Sequence, residues 1–464
     1  MQEVKLTPAQ RSHMEALIAR YTQRTQKSKQ YQQTYHLPLA DFRGISIFRM
    51  ETKEMCYPII GQSSRGSKIW DLDGNEYVDF SMGFGVNLLG HQPDFITAAL
   101  EEQLKQGIQL GPQSDLAGEV AELIGELTGM PRVTFCNSGT EAVMTAVRIA
   151  RAATGREKMA LFANSYHGHS DATLVVPGEN FRGTSLQPGV LKKTVEESLV
   201  LPYGTPEALS TIKAHAHELA AVLVEPVQSR NPTLQPKEFL HELREITTAS
   251  GIALIFDEVL TGFRAHLGGI QALFGVEADI VTYGKIVGGG MPIGLVTGRA
   301  NYMDRIDGGM WQYGDASYPQ VKRTFYAGTF CKHPLSMVVA RAVLKHLKQQ
   351  GPILQERLNE RTSRLANQLN AYFKQNELPI RMVHFASGFG FFHPRTEGKI
   401  FEKRVPLEME LLYYHLVEKG FYIWEGRTCF LSTAHTDEEL ERYINAVKES
   451  IEELQAGGFS FSAK

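Results

Sequence analysis

In Ile252-Ala253-Leu254-Ile255-Phe256-Asp257-Glu258-Val259 an unbroken apolar run over 252–256 leads straight into two carboxylates. A run of this length, rich in branched side chains, predicts a strand covered on both faces, as in a parallel sheet. Its acidic end then emerges at the carboxyl edge of the sheet, where α/β proteins bind ligands. One strand-plus-crossover unit further on, Ile280-Val281-Thr282-Tyr283-Gly284-Lys285 repeats the pattern with an amine in place of the acid. Asp257 and Lys285 are therefore expected on neighbouring or near-neighbouring strand ends, facing one ligand.

Working outward, short apolar or β-branched runs alternate with helical stretches from Pro112 onward, the signature of a mostly parallel sheet with crossover helices. The runs are Val133–Cys136, Met159–Ala163, Ser198–Pro202, Ala220–Val224, Ile252–Phe256, Ile280–Tyr283 and Ile293–Gly298, predicting a seven-stranded α/β domain. Beyond about residue 335, helices are expected over Ser336–Gln350, Leu354–Gln375, Leu407–Lys419 and Asp437–Gln455. Short strands around Phe389–Phe392 and Phe421–Trp424 complete an α+β lobe. Near the other end, Trp70 to Phe80 reads as a β-hairpin turned by Asp73-Gly74-Asn75. The expected organisation is a linker or docking helix over 1–44, a small α+β domain from 45–110 and 336–464, and a large domain over 111–335.

The first forty residues are rich in Gln, Lys and Arg and contain no glycine until Gly44. Thr7-Pro8-Ala9-Gln10 has the form of a capping box with proline at the first helical position, followed by Met14, Leu17, Ile18 and Tyr21 at helical spacing. One amphipathic helix is predicted there, its Arg11, Arg20, Arg24 and Lys27 forming a solvated face.

Bulk properties exclude several classes. The chain has 464 residues, 43% hydrophobic and 21% charged, with a formal net charge of -3, so no nucleic-acid partner is implied. The longest apolar stretches fall far short of the roughly 18 residues that a membrane helix needs. The N-terminus has no apolar core followed by a small-residue cleavage site, and a cytoplasmic protein is expected. Four scattered cysteines, Cys56, Cys136, Cys331 and Cys429, lack metal-ligand spacing and read as free thiols.

Alone, an acid or an amine after a strand says little. A third element changes this: Asn137-Ser138-Gly139-Thr140-Glu141-Ala142 follows a strand and opens a helix. It offers free backbone N–H groups, two hydroxyls and a positive helix end, which together suit a phosphate. A capping box from Ser138 to Glu141 is compatible with the same role. Lysine, aspartate and phosphate cup match what pyridoxal phosphate requires of a protein. The amine condenses with the aldehyde, the aspartate keeps the pyridine nitrogen protonated, and the cup holds the phosphate ester. Only a lysine of lowered pKa can serve as nucleophile and base near neutral pH.

With these motifs the sequence resembles the class III aminotransferases, of fold type I among pyridoxal-phosphate enzymes, from about Pro58 to Glu453. The blocks are W-D-x-D-G-N-E-Y-x-D at 70–79, G-H at 90–91, N-S-G-T-E-A at 137–142 and Y-H-G at 166–168. They continue with E-P-V at 225–227, D-E-V-x-T-G-F-R at 257–264, Y-G-K at 283–285 and A-G-T-F-x-x-x-P at 327–334. The resemblance implies that Ser138, Gly139 and Thr140 bind the phosphate, that Tyr166 and Val259 cover the two faces of the ring, and that Asp257 pairs with the ring nitrogen. It further implies that Glu225 lies beside the cofactor and that Thr329 reaches the phosphate of a neighbouring subunit, making a homodimer with shared active sites. Lys285 carries the cofactor and shuttles the proton in a ping-pong reaction, and His167 is left a structural hydrogen-bonding role.

Within the family the sequence is most similar to the glutamate-1-semialdehyde aminomutase branch, through D-E-V-L-T-G-F-R, A-G-T-F and F-L-S-T-A-H-T-D at 430–437. It departs from that branch at Arg427, where the aminomutases carry glutamate and glutamate-using aminotransferases tend to carry arginine. A guanidinium grips a carboxylate through two parallel N–H groups. Arg49, in the S-x-x-R of Ser46 to Arg49, is the second candidate anchor. Relatives that alternate between diacid and amine substrates often place a glutamate five residues after the E of E-P-V, where this chain has Arg230. The basic, Gln-rich lead-in resembles that of aminotransferase domains in hybrid polyketide synthase and nonribosomal peptide synthetase chains. That resemblance implies glutamate or glutamine as donor and, as acceptor, a β-keto acyl thioester on an acyl carrier protein. Intramolecular transfer of the aminomutase type is the alternative.

Overall fold

The computed structural model describes residues 5–42, 48–396, 405–424 and 427–462. The chain divides into two compact units, Met1–Pro93 with Glu360–Lys464, and Asp94–Asn359.

The second unit is built on a seven-stranded sheet. In spatial order its strands are Arg132–Cys136, Gly294–Gly298, Ile280–Gly284, Ala253–Asp257, Leu219–Val224, Lys158–Phe162 and Ser198–Leu201. These are the seven runs expected from the sequence, each within a residue or so. All pairings are parallel except those of Gly294–Gly298, which runs antiparallel to both neighbours. The connection from Gly284 to Gly294 is too short for the dozen or so residues that a parallel crossover needs, so the chain can only double back. Every side chain of Leu219–Val224, Ala253–Asp257 and Ile280–Gly284 is buried, which explains the unbroken apolar runs. Helix Gly139–Thr154 lays Val143, Ala146, Val147 and Ala150 on Ile255, Ile280 and Val296 of the sheet and stops at Gly155, which adopts the left-handed conformation.

Helix Pro334–Gln350, expected with the C-terminal lobe, belongs to this unit. It buries Met337, Val339, Val343, Leu344 and Leu347, and Arg341 and Lys345 both pair with Glu119.

The first unit holds the predicted hairpin, Lys68–Asp71 against Glu76–Asp79, in a four-stranded sheet completed by Gly61–Arg65 and Phe421–Tyr422. Asp71 closes the turn by accepting hydrogen bonds from the amides of Asp73 (3.0 Å) and Asn75 (2.8 Å) and from the Tyr77 hydroxyl (2.8 Å). A second sheet pairs Arg381–Phe385, Gly388–Phe392 and Cys429–Phe430. The N-terminal segment forms two helices, Pro8–Arg24 and Gln26–Tyr35, where the sequence predicts one. The Thr7 capping box forms as expected. The break falls at Thr25, whose buried hydroxyl donates to Tyr21 O and meets the Tyr57 hydroxyl at 2.7 Å. The first helix is packed into this unit: Met14, Leu17 and Tyr21 are buried, Tyr21 stands edge-on to Tyr414, and Arg20 pairs with Glu418. No helix among the described residues is long and apolar enough to cross a membrane.

Candidate active site

Sheet register collects the chemistry at one edge of the second unit. Val224 is opposite Phe256, and Asp257 is opposite Thr282, so Glu225 and Asp257 leave their strands side by side. Gly284 is opposite Gly294, and Gly294 opposite Cys136, so Lys285 and the Asn137–Thr140 turn emerge at the same end. Gly294 is required here, since a Cβ would collide with the carbonyl of Ser138.

Lys285 follows the end of its strand with φ 42°, a left-handed conformation that costs a non-glycine residue on the order of 1 kcal/mol or more and occurs mostly at functional positions. Burial lowers the pKa of its ammonium; Asp257 and Glu225 oppose the shift and Arg264 assists it. The desolvated site thus favours a neutral amine. Arg264 is itself buried, and loss of hydration brings its pKa down to about 9.

Asp257 is held at both oxygens. Oδ1 accepts from the Thr282 hydroxyl (3.1 Å) and the Val259 amide (3.2 Å), while Oδ2 is 2.8 Å from His167 Nδ1. With an ionised carboxylate as acceptor, the His167 proton resides on Nδ1. Its Nε2 is buried and has no hydrogen-bond partner among the described residues. Glu225, also buried, accepts from the amides of Ser229 (2.8 Å) and Tyr166 (3.2 Å); burial nevertheless raises its pKa.

At the start of helix Gly139–Thr154, Ser138 Oγ accepts from the Glu141 amide at 3.2 Å, and Glu141 reaches back to the Asn137 amide at 2.8 Å. The cap exists, and it leaves the first-turn N–H groups of Gly139 and Thr140 without an intrahelical acceptor. Two glycines keep the cup open: a Cβ on Gly139 would press on Val259 Cγ1 at 2.9 Å, and one on Gly168 would overlap Thr140. Tyr166 is 48% exposed, leaving a ring face available. Sequence reasoning missed Thr282, although a polar residue inside the buried run Ile280–Tyr283 was the available signal. It also passed over Gly168, whose need appears only in three dimensions.

These groups fit pyridoxal phosphate: a desolvated amine, a carboxylate fixed by three donors, and helix-end N–H groups beside two hydroxyls, all on one sheet edge. The substrate-anchor expectations fare differently. Arg49 lies in the first unit, buried, with Nε 2.5 Å from Glu410 Oε2 and its guanidinium also on the Val405 carbonyl. Its charge is therefore met inside the fold by Glu410. Arg427 is exposed in the same unit, its guanidinium 4.6 Å from the centre of the Trp424 ring. Thr329 lies exposed in the loop before helix Pro334–Gln350.

Fold and site together define a fold type I pyridoxal-phosphate enzyme. Residues 49–404 match the family described as aminotransferase class-III. The chain is 35% identical over 404 residues to glutamate-1-semialdehyde 2,1-aminomutase of Archaeoglobus fulgidus, covering 85% of this chain and 93% of that protein. It superposes with TM-score 0.81 on a transaminase with pyridoxal phosphate bound, at 29% identity over 94% of this chain and 99% of the other. With a β-phenylalanine aminotransferase from Variovorax paradoxus the TM-score is 0.80, at 27% identity over 96% and 98% of the two chains. The chain belongs to the class III aminotransferase family and is a pyridoxal-phosphate-dependent transaminase.

Proposed function

We infer that this transaminase moves an amino group from glutamate or glutamine to a ketone, and that the ketone is a β-keto acyl thioester carried on an acyl carrier protein. The observation that carries the transfer reading is the desolvated Lys285 on the same sheet edge as Asp257 and the helix-end cup. When bound, the cofactor supplies an electron sink for the substrate's α-carbon. Lys285 Nζ would hold the cofactor and, as a free amine, would carry the proton from the substrate carbon. Asp257, oriented by Thr282 and His167, keeps a proton on the ring nitrogen. Ser138, Gly139 and Thr140 hold the phosphate, Tyr166 and Val259 enclose the ring, and Glu225 stands beside it.

We assign the carboxylate of the donor to Arg427, which is exposed on Trp424 where the aminomutases carry glutamate. The β-keto acceptor is supported by the fold shared with the β-phenylalanine aminotransferase and by the Gln-rich helical lead-in. A homodimer with Thr329 on the neighbour's phosphate accords with the loop 310–330, where Met310, Tyr313, Tyr318 and Phe325 are 81%, 91%, 64% and 78% exposed. Intramolecular transfer is the second reading, favoured by the 35% identity to an aminomutase.

Glutamate or glutamine added alone separates the two. Accumulation of the amino form of the cofactor, followed by mass spectrometry of a carrier-bound β-keto chain gaining the amine, supports transfer between molecules. Conversion of glutamate-1-semialdehyde with neither donor nor acceptor supports the aminomutase reading instead.

A further inference from the structure

Three elements of the first unit meet at a pair of histidines. His13, on helix Pro8–Arg24, sets Nε2 3.0 Å from Nε2 of His415 on helix Leu407–Glu418. His415 is fully buried and His13 half-buried. Close packing fixes the His13 ring: a Cβ on Gly457, just past helix Asp437–Ala456, would come within 2.5 Å of its Nδ1, and the Phe459 ring stands edge-on at 5.7 Å. Gln10 Nε2 adds a hydrogen bond to the Gly458 carbonyl at 2.9 Å. Two ring nitrogens this close share one proton, so one donates and the other accepts. His415 Nδ1 faces Glu453 Oε2 at 3.3 Å and Glu418 Oε2 at 3.8 Å, which places the His415 proton on Nδ1 and leaves Nε2 as the acceptor. His13 Nε2 is then the donor. A second proton on His415 sets N–H against N–H and ends the bond, and with both rings charged two cations stand one hydrogen-bond length apart.

The charged groups that face the pair are Arg20 on the first helix, Glu418 and Lys419 at the end of the second, and Glu453 on the third. They are largely committed to one another: Arg20 pairs with Glu418, and Lys419 Nζ lies 2.8 Å from Glu453 and 3.6 Å from Glu449. Burial lowers the pKa of His415, with Glu453 opposing and His13, Arg20 and Lys419 assisting. Burial and then Arg20 lower that of His13 against Glu453 and Glu418. A histidine that titrates lower when docked than when released favours docking fully above about pH 6.5, and the advantage falls away as pH drops below that value. We propose that His13 and His415 form a pH-sensitive latch, which holds helix Pro8–Arg24 on the first unit near neutral pH and loosens it when both rings carry a proton.

The test is hydrogen–deuterium exchange of the full chain loaded with cofactor, at about pH 7.5 and about pH 5, read by mass spectrometry and corrected for intrinsic exchange rates. In the wild type, peptides from Pro8–Arg24 should open at least about tenfold more at the lower pH, while those from Asp437–Ala456 and Gly139–Thr154 do not follow. Glutamine can donate and accept a hydrogen bond but carries no charge, so in the double variant His13→Gln/His415→Gln the difference between the two pH values should vanish. Equal opening of the wild-type helix at both pH values overturns the proposal, as does acid opening spread evenly over the first unit. A double variant that keeps the wild-type response overturns it too. If that variant does not fold, His13→Gln alone decides: a reduced response supports the latch, and an unchanged one overturns it.

Discussion

Gly168→Ala tests how the cofactor cup is kept open. Gly168 has φ +84°, so any side chain is strained there, by on the order of 1–2 kcal/mol. The added Cβ would also lie 2.9 Å from Thr140 Cα and from Thr140 Cβ. A contact with backbone at the start of a 16-residue helix cannot be relieved by a rotamer change, and overpacking of this kind costs about 1–3 kcal/mol. The cheapest relief is to move the first turn, which displaces the Gly139 and Thr140 N–H groups and the Thr140 hydroxyl. Hydrogen bonds to a charged group contribute about 1.5–3 kcal/mol each, so losing one weakens the cofactor roughly 10- to 150-fold. The assay is titration of apoprotein with pyridoxal phosphate, followed by absorbance, beside thermal midpoints of the apo and loaded forms. A folded Gly168→Ala protein with wild-type cofactor affinity refutes the reasoning, because the cup would then not depend on that gap.

Lys285→Ala should reduce turnover at least about a thousandfold while leaving the far-ultraviolet circular dichroism unchanged, and retained activity would sink the assignment. Burial pushes the Glu258 carboxyl up to about 7 against the two amides it accepts from, Ile270 and Gln271. An unfolded glutamate titrates at about 4.3, so its contribution is complete below that pH and is lost as pH rises through about 7, by about 4 kcal/mol. Glu258→Gln should flatten the decline in urea midpoint between about pH 5 and about pH 8, and an unchanged slope would count against it. Leu17 is fully buried in the N-terminal helix, and Leu17→Ala should lower stability to urea by about 2–5 kcal/mol, whereas a helix that is only appended would give almost none.

The strands were legible because residues buried on both faces must be continuously apolar, and Asp257 and Lys285 were legible because a charge that ends such a run is conspicuous. Thr7 and Ser138 read correctly as caps since capping depends on local spacing. The course of Gly294–Gly298 was not drawn from the sequence, although the short link from Gly284 carried it. Other features had no local trace. Arg49 was read as a second candidate anchor from its S-x-x-R setting, which says nothing of the Glu410 carboxylate that the fold sets against it from far along the chain. The N-terminal segment looked detachable from its composition, yet its partners Tyr414 and Glu418 come from the opposite end of the sequence. The sequence by itself determined the sheet, the lysine and the acid, because these rest on periodicity and on residue type. Only the tertiary structure decided which charges are already paired and which glycines hold space open, because those depend on distances between segments that no local pattern encodes.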